Sequence, residues 1–352
     1  MHISKSVLSI AVVVVVLLVL ASLALTPLPA GAANASTTAV TTPHTVRADN
    51  ASTTAVASTA AVQATPIVGV GTWHIQTVDN QSNVGGFTSL ALTPSGWPAI
   101  SYYDNTTKDL KYTYKDASGW HTQVVDSVGV GGYTSLALTP TGWPAISYYD
   151  YTNWDLKYTY KDASGWHTET VDNSGGVVGW YTSLQLTSTG WPAISYWDVT
   201  NGDLKYTYKD ASGWHNQVVD SAGTVGGYTS LQLTPTGWPA ISYYDYTNGY
   251  LKYTYKGASG WHPQVVDSGA DVGNLGTSLQ LTPTGWPAIS YYDYTNGYLK
   301  YTYKDASGWH NQVVDSGYVG GYSSLQLTPT GWPAISYFDW IGDLKYAYKS
   351  AS

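Results

Sequence analysis

Apolar and polar residues alternate in short runs along most of the chain. In one stretch the runs are Thr134–Thr139 (TSLALT), Trp143–Asp150 (WPAISYYD), Leu156–Lys161 (LKYTYK) and Trp166–Val171 (WHTETV). A period of two with β-branched and aromatic residues is typical of β-strands. Turn-forming residues, Pro140-Thr141-Gly142 and Asp162–Gly165, separate the first run from the second and the third from the fourth. The pattern therefore predicts four short strands joined by tight turns.

The same unit recurs from Trp73 to the end of the chain. The tripeptide GWP marks each copy, with spacings of 46 to 48 residues between its tryptophans, which are Trp97, Trp143, Trp191, Trp238, Trp286 and Trp332. A repeat of this length with four strands is typical of a β-propeller blade. We therefore predict an all-β fold, a six-bladed β-propeller of four-stranded antiparallel blades.

The two ends of the repeat region predict how the ring closes. The region starts with a fourth-type strand, Trp73–Asp79, and ends with a third-type strand, Leu344–Lys349. Pairing the first with the last three strands would complete the sixth blade and leave no severed edge. The alternative is an open array with an unpaired strand at each end.

Composition agrees with a β-protein and excludes several classes of site. The chain has 32 Tyr, 16 Trp and 36 Gly but no Cys, and Glu169 is the only glutamate among its 23 acidic residues. Without cysteine there is no disulfide, thiolate metal site or cysteine nucleophile. The net charge is −8 and the only arginine, Arg47, precedes the repeats, so nucleic acid is not an expected partner.

The N-terminal region divides into two segments before the predicted propeller of residues 67–352. The apolar run Val7–Leu25, followed by small residues, makes residues 1–33 a signal peptide or, if uncleaved, a membrane anchor. Residues 34–66 are rich in Ala, Thr and Ser and contain NASTTAV twice, which predicts a disordered stalk. The protein is therefore expected to be secreted or anchored at the cell surface, touching the membrane only through residues 7–25.

The repeat core GWPAISYYD…DLKYTYKDASGWHTQVVD resembles the six-bladed propellers grouped as sialidase-like and fucose-lectin-like, over about residues 70–352. The resemblance implies the architecture. The family's sugar chemistry does not carry over, because residues 67–352 contain no arginine and a single glutamate, whereas the family's pockets use arginine and glutamate. The Asp-box pattern also fails, since Asp116 and Gly119 stand three residues apart instead of two.

Two series of aspartates are candidate ligand-binding groups on the face formed by the strand 2–3 loops and the blade connections. Carboxylates there would suit Ca²⁺ or sugar hydroxyls. The preferred alternative for each is a turn cap that accepts backbone N–H groups. The second-strand series is Asp104, Asp150, Asp198, Asp245, Asp293 and Asp339, and the fourth-strand series is Asp79, Asp126, Asp172, Asp220, Asp267 and Asp315.

Aromatic residues that vary between copies fall among these aspartates. Exposed rings beside carboxylates suit stacking on sugar faces, and packing between blades is the alternative. The candidates are Tyr151, Trp154, Trp180, Tyr181, Trp197, Tyr246, Tyr250, Tyr294, Tyr298 and Trp340. Trp97, Trp120 and their equivalents stand at fixed positions in every copy and are expected to pack between blades.

The remaining polar residues indicate no catalytic site. The histidine after each fourth-strand tryptophan, such as His121, is expected to be solvated and too far from its copies to share a metal. Lys111, Lys115 and their equivalents are expected to protect an exposed blade face. No cofactor is indicated, and Ca²⁺ is the one ion that the acidic series would suit. The sequence thus favours a multivalent carbohydrate or cell-surface binding module that is not an enzyme, with a structural cell-surface scaffold as the alternative and a glycan-active enzyme third.

Overall fold

The computed structural model describes residues 76–81, 83–340 and 342–349. The predicted signal segment and stalk, residues 1–66, lie outside the described residues. The described residues from Val78 onward form one compact unit. Within the described ranges, no helix is long and apolar enough to cross a membrane.

The strands follow the predicted order in six successive blades. Blade 1 contains β1 (Val84–Leu92), β2 (Pro98–Asp104), β3 (Asp109–Asp116) and β4 (Gly119–Asp126). Blade 2 contains β5 (Val130–Leu138), β6 (Pro144–Asp150), β7 (Leu156–Asp162) and β8 (Gly165–Asp172). Blade 3 contains β9 (Val178–Leu186), β10 (Pro192–Asp198), β11 (Asp203–Asp210) and β12 (Gly213–Asp220).

Blade 4 contains β13 (Val225–Leu233), β14 (Pro239–Asp245), β15 (Tyr250–Gly257), β16 (Gly260–Trp261) and β17 (Gln264–Asp267). Blade 5 contains β18 (Val272–Leu281), β19 (Pro287–Asp293), β20 (Tyr298–Asp305) and β21 (Gly308–Asp315). Blade 6 contains β22 (Val319–Leu327), β23 (Pro333–Asp339) and β24 (Leu344–Tyr348). In blade 4 the fourth strand is split into β16 and β17 at Pro263, which has no N–H to give to the ladder.

All neighbouring strands within a blade pair antiparallel, so the predicted six-bladed all-β propeller is confirmed. In each blade, the hairpin between the first and second strands and the hairpin between the third and fourth strands lie on one side, which we call the hairpin face. The turns between the second and third strands and the connections between blades lie on the other side, which we call the loop face. There, Asn105 N donates to Asn83 O at 3.0 Å.

The blades pack through one repeated apolar interface. Between blades 1 and 2, Leu110 and Tyr112 of β3 are buried against Leu136 of β5 and Ile146 and Tyr148 of β6. The same set recurs between each later pair of neighbours up to blade 6. Because each interface is made of neighbouring repeats, the core extends around the ring in equivalent steps.

The first strand of each blade is longer than predicted and contains a bulge near the axis. In β5, Tyr133 has a φ of 53°, and the strand's register shifts between Gly132 and Ser135. A Cβ on Gly131 would lie 2.9 Å from Leu110 Cα of the preceding blade, so only glycine permits this approach. The bulge turns the Tyr133 ring toward Phe87 and Tyr181 of the adjacent blades, with centroid distances of 4.6 and 4.7 Å.

In the part of the chain that the structure describes, one face of each end blade is exposed. Leu90 of β1 is 64% exposed and Leu344 of β24 is 82% exposed. Among the described residues no strand pairs with the outer edge of β24. The closing strand predicted at Trp73–Asp79 falls partly outside those residues, and ring closure stays a prediction.

Candidate functional site

The second-strand aspartates stand at the loop face as predicted, but their side chains are turned into the blades. Asp150 is fully buried, and its Oδ1 accepts from the backbone N–H groups of Thr152 and Asn153 at 2.8 and 3.0 Å. Asn153 Nδ2 donates to the other carboxylate oxygen at 2.9 Å. This is the turn-capping role that the sequence analysis set beside ligand binding. The other members are also buried: Asp104, Asp198, Asp245, Asp293 and Asp339.

The fourth-strand aspartates join these caps in a repeated polar cluster of two aspartates, one tyrosine and one lysine, which we call the interface tetrad. Between blades 2 and 3, Asp172 accepts from Tyr196 Oη at 2.6 Å and from Lys205 Nζ at 2.6 Å. Lys205 also lies 3.5 Å from Asp198 Oδ2. Its ammonium therefore bridges carboxylates of two blades. The expectation that this lysine position, Lys111 in blade 1, protects an exposed face is wrong, because Lys111 is only 5% exposed.

The lysine of the tetrad offsets one of its two carboxylate charges. Burial raises the pKa of Asp172, but hydrogen bonds from Lys205 and Tyr196 outweigh it and leave the carboxyl pKa below its usual value. Burial, with the Asp172 charge, raises the pKa of Tyr196 well above its usual value. Within the described residues no group of three or more acidic or histidine side chains is arranged to hold a metal ion. In the tetrad between blades 2 and 3, the Lys205 ammonium lies between the two carboxylates.

The predicted aromatic candidates divide into buried and exposed rings. Trp180 and Trp197 are 3% and 1% exposed and touch each other edge to face, with centroids 6.1 Å apart. Trp154 and Tyr294 are 55% and 53% exposed. The others are partly buried: Tyr151, Tyr181, Tyr246, Tyr250, Tyr298 and Trp340. Tyr246 stacks on Trp197 at 4.9 Å, so most of this set forms inter-blade packing.

A small cavity lies on the axis, among the bulged residues of the first strands. It has a volume of 230 Å³ and is lined by Phe87, Tyr133, Tyr181, Tyr228 and the threonines that follow them. In blade 5, Gly276 precedes Thr277 where the other blades have an aromatic ring, which leaves this position of the lining without a side chain.

The hairpin face carries a larger groove between blades 2 and 3, with a volume of 570 Å³. Tyr158 and Tyr160 of blade 2 form one wall. Trp191 in the β9–β10 hairpin and the turn from Lys209 to Gly213 form the other. The groove is thus lined by an indole ring, two phenol rings, Lys209 and the turn that contains Asp210 and Ser212.

The hairpin tryptophans are the residues that the sequence analysis misplaced. Each was expected to pack between blades, yet Trp191 is 40% exposed. The cause is local: Trp191 follows the left-handed Gly190 in a turn closed by a hydrogen bond from Trp191 N to Thr187 Oγ1 at 3.0 Å. The equivalent tryptophans Trp97, Trp143, Trp238 and Trp286 are 37 to 44% exposed in the same turn. The turn position, directly after the glycine, was the signal that could have shown this.

The fourth-strand tryptophans behave as predicted. Trp166 contacts Tyr112 edge to face at 5.5 Å, and Trp214 contacts Tyr158 in the same way at 5.3 Å. Trp214 also donates from Nε1 to Glu169 at 2.7 Å. Glu169 in turn holds Lys209 through both carboxylate oxygens, at 2.5 and 2.6 Å.

An aspartate, a serine and a histidine meet in the turn beside the groove. Asp210 Oδ1 accepts from Ser212 Oγ at 2.6 Å and lies 2.9 Å from His215 Nε2. Ser212 Oγ lies 3.0 Å from the same nitrogen. A nucleophilic relay needs the serine and the acid on opposite ring nitrogens, so this arrangement does not form one. The Ser212 hydroxyl, His215 and the Ser212 N–H lower the pKa of Asp210 to about 2.

Comparisons with known proteins support the fold and leave the activity open. The sequence matches no protein-family model and no curated protein. In structure the chain is similar to a mutant of AofleA from Arthrobotrys oligospora, with 13% identity, a TM-score of 0.54, and 76% of this chain and 83% of that chain covered. It is also similar to the fucose-specific lectin from Aleuria aurantia, with 11% identity, a TM-score of 0.50, and 77% and 93% covered.

A third similar structure is a Hadza microbial sialidase, with 14% identity and a TM-score of 0.50. The match covers 75% of this chain and 65% of that one. The resemblance to sialidase-like and fucose-lectin propellers is thereby confirmed as a resemblance of fold.

Proposed function

We propose that this protein is an extracellular, multivalent carbohydrate-binding module, and that its binding sites are the grooves between blades on the hairpin face. The observation that carries the proposal is the 570 Å³ groove in which Trp191 and Tyr160 lie beside Lys209, Asp210 and Ser212. Aromatic rings bind the C–H faces of sugars, while charged and hydroxyl groups bind their hydroxyls.

Repetition supports binding through many weak sites. The tryptophan, tyrosine, lysine and serine of this groove recur in the sequence at the other blade boundaries; between blades 3 and 4, for example, they are Trp238, Tyr208, Lys256 and Ser259. Several sites on one rigid ring increase avidity for a polymer or a cell surface without new contacts. The neighbours named as a lectin and a sialidase make a saccharide ligand a natural first choice.

The electrostatics of the groove favour binding over hydrolysis. A glycosidase of the usual kind needs a carboxylic acid with a raised pKa to protonate the leaving group. The pKa of Asp210 is instead lowered to about 2, and Glu169 is committed to Lys209 and Trp214. The Asp210 carboxyl is therefore held as an anion and does not serve as a proton donor.

The location of the protein belongs to the same proposal. An export signal or anchor in residues 1–33 and a stalk in residues 34–66 would present the propeller outside the cell, secreted or attached to the surface. Glycans and other cell-surface polymers are the partners that such a position offers.

A glycan array, with and without Ca²⁺, tests the proposal. The comparison uses the natural chain, a hairpin-face variant with Trp143, Trp191, Trp238 and Trp286 changed to Ala, and a loop-face variant with Trp154, Tyr250 and Tyr298 changed to Ala. We expect the hairpin-face variant alone to lose binding while keeping its circular dichroism spectrum. Absence of binding by the natural chain would favour the scaffold function, and turnover of a glycan would favour an enzyme.

A further inference from the structure

The two faces of a blade carry different polar groups near the hairpin side, and this decides which residues share a groove. Tyr160 packs in the apolar interface between blades 2 and 3, and His167 stacks on its ring with centroids 5.0 Å apart. Asp162 Oδ1 lies 3.0 Å from His167 Nε2, so this carboxylate also faces blade 3. Lys209 of blade 3 reaches the same boundary, because its ammonium binds Glu169 of blade 2. Each groove therefore combines the turn of the earlier blade with the lysine of the later one.

The turn of the earlier blade stabilises a carboxylate. Asp162 Oδ1 accepts from Ser164 N at 2.8 Å and from Ser164 Oγ at 2.6 Å. The Ser164 hydroxyl, His167 and the Ser164 N–H lower the pKa of Asp162 to about 2. Blades 1, 2, 3 and 5 fill this turn with their own side chain, from Asp116, Asp162, Asp210 and Asp305.

The turn of blade 4 has the same donors but no carboxylate. Gly257 stands at the aspartate position, and Ser259 Oγ lies 3.0 Å from His262 Nε2, compared with 2.9 Å for the same pair in blade 2. A Cβ on Gly257 would lie 3.2 Å from His262 Nε2, so a side chain at this position would point at the histidine. The Ser259 N–H and hydroxyl therefore have no aspartate side chain to bind in this turn.

This open turn position lies on the face of blade 4 that is turned toward blade 5. His262 stacks on Tyr255 with centroids 4.8 Å apart. Tyr253, two residues earlier on the same face of the strand, contacts Trp309 of blade 5 edge to face at 5.3 Å. Tyr255 is 38% exposed, so its ring borders the groove between blades 4 and 5. The open turn therefore belongs to that groove.

The groove between blades 4 and 5 also differs in charge from the groove between blades 2 and 3. In the latter, Lys209 shares the boundary with two carboxylates of blade 2, Asp162 and Glu169. Between blades 4 and 5, Lys304 donates instead to the neutral Gln264 Oε1 at 2.8 Å. Because glycine and glutamine replace both carboxylates, these three positions carry a formal charge of +1 instead of −1. At the boundaries between blades 1 and 2 and between blades 3 and 4, which keep the aspartate and have the glutamine, the same positions are neutral.

The ammonium and the open turn lie close enough for one ligand. Gln264, which holds Lys304, pairs with Tyr253 in the ladder, and His262 N donates to Tyr255 O at 3.0 Å. Gln264 and His262 thus lie on one face, two residues apart, which is about 7 Å along a strand. A sugar ring with a carboxylate substituent can cover this distance.

An indole ring completes the groove. Trp286, in the blade 5 hairpin, is 41% exposed and has the position that Trp191 has in the lining of the groove between blades 2 and 3. Tyr255 likewise has the position of Tyr160. These two rings offer the apolar surface that a sugar face requires.

We infer that the groove between blades 4 and 5 binds an acidic saccharide, whose carboxylate occupies the open turn position at Ser259 and His262. Lys304 supplies the opposite charge, and the rings of Tyr255 and Trp286 contact the sugar ring. This inference rests on the proposed function and assigns a ligand class to one of its grooves.

Nuclear magnetic resonance of the full chain tests the inference, with sodium glucuronate, glucose and sodium acetate as separate probes. Glucuronate should shift the Trp286 indole and His262 imidazole signals, and acetate should shift His262 alone. Gly257→Asp supplies a tethered carboxylate at a position whose backbone is not left-handed. It should weaken glucuronate binding at Trp286 by about tenfold or more, the effect of losing a charged hydrogen-bonded group, and leave the glucose response unchanged.

A gain of function serves as the matched control. Asp210→Gly opens the equivalent turn in blade 3, which faces the groove where Lys256 donates to the neutral Gln217 Oε1 at 2.8 Å. This variant should acquire a glucuronate response at His215 and at Trp238, which is 44% exposed in its hairpin.

Two results would overturn the inference alone. One is equal glucuronate affinity at Trp286 in the natural chain and in the Gly257→Asp variant, and the other is the absence of a gained response in the Asp210→Gly variant. The absence of any sugar response at the hairpin-face indoles would overturn the proposed function with it.

Discussion

The Tyr102 hydroxyl donates to Asp79 Oδ2 at 2.7 Å. In the next blade, the hydroxyl of the equivalent Tyr148 makes the same contact with Asp126 Oδ2 at 2.5 Å. Lys111 lies 3.3 Å from Asp79, as Lys157 lies 3.2 Å from Asp126. Asp126 is the last residue of the fourth strand of blade 1. Asp79 therefore occupies the position of a fourth-strand terminus before blade 1, where a strand completing blade 6 would end.

Ring closure by Trp73–Asp79 can be tested with an engineered disulfide, since the chain has no cysteine of its own. In blade 1, Thr113 pairs with Thr122, and the equivalents for the sixth blade are Ala347 and Ile75. We expect the Ile75→Cys, Ala347→Cys variant to form an intramolecular disulfide under mild oxidation, measured by mass spectrometry and gel mobility.

The pair Ile75→Cys, Lys349→Cys is the out-of-register control and should react more slowly. Deleting Trp73–Asp79 should lower the unfolding temperature out of proportion to the residues removed, because it exposes the edge of the last blade. An unchanged unfolding temperature after this deletion would mean that the array is open.

Removing the lysine of a buried interface tetrad should be costly. Lys205 is 9% exposed in its side chain between Asp172 and Asp198, so Lys205→Met leaves two buried carboxylates without a cation. We expect a loss of about 3–5 kcal/mol in the free energy of unfolding, measured by urea denaturation. Lys345→Met is the control, because the same lysine in blade 6 is 37% exposed and its loss should cost much less stability than that of Lys205. Equal losses would show that burial does not control the strength of the tetrad.

The third-strand threonine of blade 2, Thr159, has hydrogen-bond partners, whereas the equivalent threonine of blade 3, Thr207, has none. Thr159 Oγ1 donates to His167 O at 3.0 Å and accepts from Thr168 at 3.2 Å. Thr207 Oγ1 is buried without a partner, because Asn216 replaces the cross-strand threonine and donates to Val171 O at 3.2 Å instead. Thr159→Val should therefore cost about 1 kcal/mol of stability, while Thr207→Val should be neutral or stabilising. A larger loss for Thr207→Val in the same urea experiment would contradict the assignment.

Alkaline titration should reveal the buried tyrosines. Burial raises the pKa of Tyr112, Tyr149 and Tyr301 to about 12, above the ordinary value of 10.0. Since the folded pKa is higher than the unfolded one, the stability from these phenols is complete below pH 10 and falls as the pH rises toward 12. Phenolate absorbance should lag behind that of the chain unfolded in guanidinium until the protein unfolds. Coincident titration curves would show that the rings are accessible.

The repeat predicted the strand order and blade number because each strand keeps a period of two between turn residues. The first strand was predicted to start at Thr134 but starts at Val130, since the Gly-Gly segment resembles a linker and a left-handed Tyr133 is a conformation that aromatic residues rarely adopt. The missed part of the strand is the part that lines the axis.

The candidate site was less predictable because burial at a blade boundary depends on two repeats at once. Alternation alone places Lys157 outside, whereas the structure places it between Asp126 of one blade and Asp150 of the next. For Trp191 the error is in the other direction. A tryptophan at this position in every copy indicated a buried packing residue, but its turn holds the ring partly in solvent. Constancy among repeats cannot separate a structural residue from a repeated binding residue.

The central claim, that saccharides bind on the hairpin face, is tested most directly by the indole N–H resonances of the 16 tryptophans during titration with the glycan that the array ranks first. The account predicts that Trp143, Trp191, Trp238 and Trp286 shift, while the buried Trp197 and the loop-face Trp154 do not. Shifts confined to Trp154 and its neighbours would contradict it and place the binding site on the loop face.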